Sequence, residues 1–245
     1  MVPLRVRSHF SLMHGTSAPD TLCRRAAAMG YSHLALTDID NLYGLWPFLT
    51  ACENHRIKPI IGAELSTTGN APLTALVQNS VGYRNLCRLI TRRRATPAAP
   101  LPLTDETAWQ GLFVLTDDQT HLKSLHECGV AVAADLGNRP SRGGTALRKE
   151  AGELGIATIA TPNSSLAGSD EAPLYRLLQA IRTNSLLSHA PPHVPDTIQP
   201  APLLAPEVYR ERFAVWPEVV RATDAIAERC TLRRPDFGLV MPPCN

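Results

Sequence analysis

The sequence has no charge excess. Its 24 Lys and Arg against 22 Asp and Glu leave a formal net charge of +2, short of the basic footprint of an autonomous duplex-binding module, so any contact with nucleic acid has to be local. It also has no run of about 18 apolar residues, which excludes a membrane-spanning helix, and the polar, arginine-rich start after Met1 lacks the apolar stretch of a secretory signal. A cytoplasmic protein with no membrane contact is expected. The cysteines, Cys23, Cys52, Cys87, Cys128, Cys230 and Cys244, stand singly with no Cys-x-x-Cys pair, which argues against a zinc ribbon or a thioredoxin-type motif and for small buried thiols without a disulfide framework. Lysine is scarce, with only Lys58, Lys123 and Lys149; this preference for arginine, like the richness in alanine and proline, reads as coding bias. Trp46, Trp109 and Trp216 belong to no motif and read as packing anchors. No internal repeat is present.

What is present is a chain of 245 residues with 44% hydrophobic content, enough for one compact domain. Short apolar runs at 2–7, 33–37, 59–65, 73–78, 112–116, 130–135 and 157–161 predict strands. Helical patterns fall at 19–29, 44–55, 82–94, 119–127, 144–154 and 170–183. Pro19 follows Ala18 at a plausible first helical position and Gly30 closes that helix. Strands alternating with helices predict an α/β fold, with a closed or nearly closed barrel favoured over an open doubly wound sheet. Proline-rich stretches at 96–103 and 190–206 read as extended surface connections. A helical pattern at 207–230 and an irregular tail follow. The expected organisation is a barrel over 1–189, a connection over 190–206, and a C-terminal helix and tail over 207–245 packing on the barrel.

Several segments carry a family resemblance. Arg5-Val6-Arg7 followed by His14-Gly15 resembles the first motif of the polymerase and histidinol phosphatase (PHP) domain, in which a strand carries His-x-His and a later turn carries Asp-Gly. Ala35-Leu36-Thr37-Asp38, Asn41-Leu42-Tyr43-Gly44, Lys58-Pro59-Ile60-Ile61-Gly62-Ala63-Glu64-Leu65, Gly82-Tyr83-Arg84-Asn85-Leu86 and Leu178-Gln179-Ala180-Ile181-Arg182-Thr183 continue it in order and spacing. The ordered set resembles the PHP domain of bacterial DNA polymerase III alpha subunits, the C-family polymerases, over nearly the whole chain. The resemblance implies a distorted seven-stranded (β/α)7 barrel. Gly238 and Met241-Pro242 resemble the junction where such a polymerase continues into its palm. The palm holds the aspartates that bind the magnesium ions of polymerisation, so nucleotide addition by these residues alone is not expected.

By the same resemblance, active members hold a metal cluster at the barrel mouth. Here the His-x-His positions carry Arg5 and Arg7, a histidine position carries Ile39, and the late Asp-x-His pair falls at Asn163 and Ser165. Arginine has no acceptor, isoleucine has no donor atom, and serine is a poor ligand. Asp38 and Glu64 persist, His14 stands where an aspartate is usual, and Asp118 lies near the family's cysteine ligand. No cofactor is expected beyond weak zinc or manganese at His14, Glu64 and Asp118. Alternation along a strand would put Val2, Leu4 and Val6 on one face, packed on the outer helices, and would send Arg5 and Arg7 into the mouth. Buried guanidinium groups need partners, and Asp38, Asp40 and Glu64 are the expected counter-charges.

Arg92, Arg93 and Arg94 suit either a phosphate contact or a solvated, dipole-complementing helix end. Arg182-Thr183-Asn184 reads either as a solvated helix end or as a hold on a polymerase module. The functions weighed are a non-catalytic module associated with an alpha-type polymerase in replication or repair synthesis, a metal-dependent 3′-5′ exonuclease or phosphoesterase with a reduced ligand set, and a phosphate-ligand sensor clamping an anion with Arg5 and Arg7. The first is favoured: a pseudoenzyme that partners a polymerase subunit or fragment and touches DNA weakly or indirectly.

Overall fold

A computed structural model describes residues 1–69, 71–187 and 201–236. The helices are α1 (Pro19–Ala28), α2 (Leu45–His55), α3 (Ser80–Ala95), α4 (Glu106–Trp109), α5 (Gln119–Glu127), α6 (Arg142–Glu153), α7 (Ala172–Arg182), α8 (Pro206–Arg212) and α9 (Pro217–Arg229). The strands are β1 (His33–Ile39), β2 (Lys58–Leu65), β3 (Leu73–Val77), β4 (Leu112–Thr116), β5 (Val132–Asp135), β6 (Thr158–Ile159), β7 (Ser164–Leu166) and β8 (Ala201–Pro202). β1 to β6 form one six-stranded sheet in sequential order, and β7 pairs with β8. β3 runs antiparallel to both neighbours, while the other pairs are parallel. The short link between β2 and β3 accounts for the first reversal, because a parallel return needs a crossover of about a dozen residues or more.

The first expected strand, 2–7, is not regular. On one side Ala35 N donates to Pro3 O and Thr37 N to Val6 O; on the other, Ser164 N donates to Arg5 O and Arg7 N to Ser164 O. A step of two residues along β1 therefore faces a step of three in the N-terminal segment. That is one extra residue, the signature of a β-bulge, and a bulge reverses the inward–outward alternation. Val2 and Leu4 accordingly join the cluster on the inner face of the sheet, while Val6 joins the outer one. This corrects the expectation that Val2, Leu4 and Val6 share a face. The sheet is a curled half-barrel of six strands flanked by this segment and β7, where a distorted seven-stranded (β/α)7 barrel was expected.

Strand alternation sorts the rest. Ala35, Ile60, Leu76, Phe113, Leu115, Ala133 and Ile159 form the inner cluster with Ile226 and Ala227 from α9 and Cys230 just after it. Leu34, Leu36, Ile61, Ala63, Ala75, Val77 and Val114 point the other way, into the larger core shared with the outer helices. The helical pattern at 207–230 is split into α8 and α9 because Trp216, which precedes Pro217, is driven out of helical geometry to φ −137° and ψ 64°. Residues 188–200, which hold most of the proline-rich connection, and the tail 237–245 lie outside the described residues. Among the described residues no helix is long and apolar enough to cross a membrane, and Cys23, Cys52, Cys87, Cys128 and Cys230 are free thiols.

Candidate functional site

At the C-terminal ends of the strands the inner face turns polar. Glu64 continues the inward parity of Ile60 on β2, and Asp135 that of Ala133 on β5. The bulge brings Arg5 and Arg7 to the same side. Arg5 Nε donates to Glu64 Oε2 at 2.9 Å, and Arg7 Nη2 donates to the same oxygen at 2.6 Å. Arg5 Nη1 lies 3.5 Å from Asp135 Oδ2, and Arg7 Nη1 donates to Ser165 Oγ at 3.1 Å. Arg5, Glu64 and Asp135 are all buried. Asp135 also accepts from Thr161 Oγ1 at 2.8 and 2.7 Å and from Gly137 N at 2.9 Å.

Burial disfavours charge on each group, and mutual attraction overcomes it. The Arg5 guanidinium is desolvated, yet Glu64, Asp135 and Asp117 raise its pKa above the ordinary arginine value. Burial would raise Glu64, but Arg5 and Arg7 hold it at about 2. A carboxylate so firmly ionised is a poor proton acceptor at neutral pH. His14 is lowered by burial, and nearby Arg182 and Arg7 act in the same direction.

Asp38 and Asp40 do not serve as the expected counter-charges. Asp38 shares the outward parity of Leu34 and Leu36, so its carboxylate points away from the arginines. It accepts from Ser8 N and Ser8 Oγ at 2.8 Å each and from Ser11 Oγ at 2.6 Å, fixing the 8–11 loop; burial still raises its pKa. Asp40 accepts from Ser66 N at 2.9 Å and from Ser66 Oγ at 2.5 Å. Gly15 closes the same loop: a Cβ there would lie 2.1 Å from Ser8 O, so only glycine fits.

Parity also separates Asp118 from its neighbour. Asp117 continues the inward set Phe113 and Leu115, lining a cleft of about 440 Å³ with Arg5, Asp135, Asn163 and the first turn of α6. Asp118 caps α5, accepting from His121 N at 2.8 Å. Ile39 ends β1 beside Glu64. Asn163 has φ 47° and a buried side-chain oxygen with no partner. Among the described residues, no three of His, Cys, Asp and Glu converge as a metal site would require, and His14, Glu64 and Asp118 are not gathered. With Glu64 occupied by two guanidinium groups, the donor set does not fit a metal cluster. Asp135, Asp117 and Thr161 were missed from sequence; the available signal was an acidic residue at a strand end sharing the parity of an inward alanine or leucine.

Two of the three residues in the basic run are tied into the fold. Arg93 Nε donates to Ser66 Oγ at 2.8 Å. Arg94 Nε donates to Asp40 O at 3.0 Å, and its guanidinium lies 5.1 Å from the Tyr43 ring centroid. Arg92 is exposed.

The sequence profile of the PHP domain matches residues 3–136, more than half of the chain. The chain belongs to the PHP domain family. It is 33% identical over 272 aligned positions to an error-prone DNA polymerase of Symbiobacterium thermophilum, covering 94% of this chain and 25% of that polymerase. It is 28% identical to the DNA polymerase III subunit alpha of Bacillus subtilis, covering 94% of this chain and 23% of that subunit. The chain thus spans about a quarter of the length of these relatives. A solved structure from Bifidobacterium adolescentis, described as a metal-dependent phosphoesterase, superposes with a TM-score of 0.55 at 11% identity, covering 87% of this chain and 95% of that one; this supports a PHP-type fold.

Proposed function

We propose that this PHP domain is a non-catalytic module in which Arg5 and Arg7, paired with Glu64 and Asp135, take the place that metal ions hold in active members. It serves a structural or partner-docking role beside a DNA polymerase III alpha-type polymerase in replication or repair synthesis. The observation that carries this reading is Glu64 Oε2 accepting from Arg5 and Arg7 at 2.9 and 2.6 Å: protein-borne positive charge neutralises the carboxylate without a metal ion. Similarity to polymerases over 94% of the chain supports the replicative setting. Completing the half-barrel to the seven-stranded PHP ring, with residues 3–7 and β7 filling the remaining arc, belongs to the same proposal. Against the reduced-ligand exonuclease or phosphoesterase reading stands Glu64, whose Oε2 is already engaged by two guanidinium groups.

Purified protein should contain less than one equivalent of metal, and manganese should not induce hydrolysis of p-nitrophenyl phosphate or a single-stranded oligonucleotide. EDTA should leave its melting temperature unchanged, while Arg5→Ala lowers it. Manganese-dependent hydrolysis that survives repurification and disappears in Glu64→Gln would overturn the proposal.

A second reading, an anion sensor, has one observation in its favour: Arg5 lines the 440 Å³ cleft beside the first turn of α6. A melting-temperature rise with millimolar phosphate or nucleotide, lost in Arg5→Met, would support it.

A further inference from the structure

Helix α7 carries an apolar stripe that the rest of the described fold leaves uncovered. Only Tyr175 and Ala180 of this helix are buried. Leu174, Leu177 and Ile181 are 47%, 44% and 54% exposed, and Leu186 and Leu187 continue the patch at 66% and 46%. At 3.6 residues per turn, Leu174, Leu177 and Ile181 fall within about 60° of one another. On the opposite side of the helix Gln179 Nε2 donates to Met13 O at 2.7 Å, which fixes α7 to the rest of the fold and leaves the stripe facing outward. Contiguous exposed apolar side chains of this kind mark interaction surfaces.

The charge around the stripe narrows the occupant. The helix reads Ala-Pro-Leu-Tyr-Arg-Leu-Leu-Gln-Ala-Ile-Arg, with no acidic residue, and Arg176 and Arg182 flank the stripe, both exposed. Glu171, the nearest carboxylate before the helix, is engaged by Thr16 Oγ1 at 2.6 Å and Ala167 N at 3.1 Å. A second copy meeting this face about a two-fold axis would set arginine against arginine. A partner with an apolar centre and a carboxylate rim fits. The polymerases similar to this chain have three quarters of their length outside the matched region, and that mass is the available source of such a surface.

We infer that the Leu174–Leu177–Ile181 stripe, with Arg176 and Arg182 at its edges, is the face on which this domain docks an alpha-type polymerase body through an apolar, acid-rimmed surface. The inference rests on the docking reading proposed above and assigns its surface.

The test titrates the 245-residue chain against the alpha-type polymerase of the same organism by biolayer interferometry at low and high salt. Leu177→Asp/Ile181→Asp, Arg176→Glu/Arg182→Glu and a control substitution at exposed Val215, Val215→Asp, are compared, with melting temperature and circular dichroism verifying folding. The expected result is binding by wild type and by the control, at least tenfold weaker binding by the stripe variant, and weaker, less salt-sensitive binding by the arginine variant. Unchanged binding by a folded stripe variant overturns the surface while the docking reading stands. No binding by wild type overturns both. Sedimentation showing a wild-type dimer that the stripe variant abolishes replaces the polymerase with a second copy and overturns the inference.

Discussion

Ile39 is the register partner of Glu64 across β1 and β2, so a side chain with no donor atom stands directly beside the most tightly held carboxylate of the mouth. Glu64 must then draw its counter-charge from elsewhere, and the bulge in residues 3–7 supplies it by turning Arg5 and Arg7 inward. An arginine pair of this kind is weak evidence for net stability, because desolvation offsets much of the attraction. Removing one partner is different, because it leaves charge buried and unpaired.

Glu64→Gln is therefore expected to cost about 3–5 kcal/mol in chemical denaturation. Arg5→Met/Arg7→Met/Glu64→Leu, which removes the cations together with their shared carboxylate, should cost less than Glu64→Gln alone. If the triple variant is the less stable of the two, packing of the long side chains outweighs charge compensation and this account of the cluster fails.

Most of the strands were legible because apolar runs such as 33–37 and 112–116 are buried on both faces and read without ambiguity. The inward direction of Arg5 and Arg7 was also legible, though for an incomplete reason. Simple alternation sends them inward but sends Val2 and Leu4 outward. Only the hydrogen bonds to Ala35 and Thr37 reveal the extra residue that puts all four on one face. Asp38 directly follows inward-facing Thr37, and its parity with Leu36 turns its carboxylate outward to Ser8 and Ser11, away from the arginines. Asp135 escaped notice because its role depends on β5 lying near Arg5 across the curled sheet, and no local pattern encodes that. The break before Pro217 was readable from the proline itself, but the continuous apolar spacing over 207–230 masked it.

Stability should fall in two steps on acidification. Glu64 has its pKa lowered from 4.5 to about 2 in the fold, so its contribution is present above about 4.5 and is lost as pH falls through 2. At 1.36 kcal/mol per unit it is on the order of 3 kcal/mol. His14 is lowered from 6.5, so the fold prefers its neutral form and an earlier loss begins as pH drops below 6.5. Asp38, raised by burial, has the opposite sign: it favours the fold at low pH, and that contribution fades as pH rises through its folded pKa. Melting temperatures from pH 2 to 8 should show the slope below 4.5 flattened in Glu64→Gln, the slope just below 6.5 flattened in His14→Asn, and the low-pH benefit removed in Asp38→Asn. An undiminished slope below pH 4.5 in Glu64→Gln would contradict the assignment.

The basic run at the end of α3 should separate by function. Arg93 bridges to Ser66, whose hydroxyl and amide both engage Asp40, and Arg94 reaches the Asp40 carbonyl, so these two tie α3 to the turn that follows β1. A half-buried hydrogen bond of this type is worth about 1–2 kcal/mol, and Arg93→Ala should lose that much in urea denaturation. Arg92 is exposed and lines a shallow cleft of about 220 Å³ with Asp105, so Arg92→Ala should stay within about 0.5 kcal/mol of wild type. Fluorescence anisotropy with a labelled single-stranded oligonucleotide provides the discriminating measurement. If the run were a phosphate contact, Arg92→Ala would weaken binding and reduce its salt slope while leaving stability intact. The expected outcome is a stability loss for Arg93→Ala and not for Arg92→Ala, with unchanged anisotropy for both, because Arg93 is already committed to Ser66 and exposed Arg92 alone supplies too little positive charge to hold a phosphate backbone.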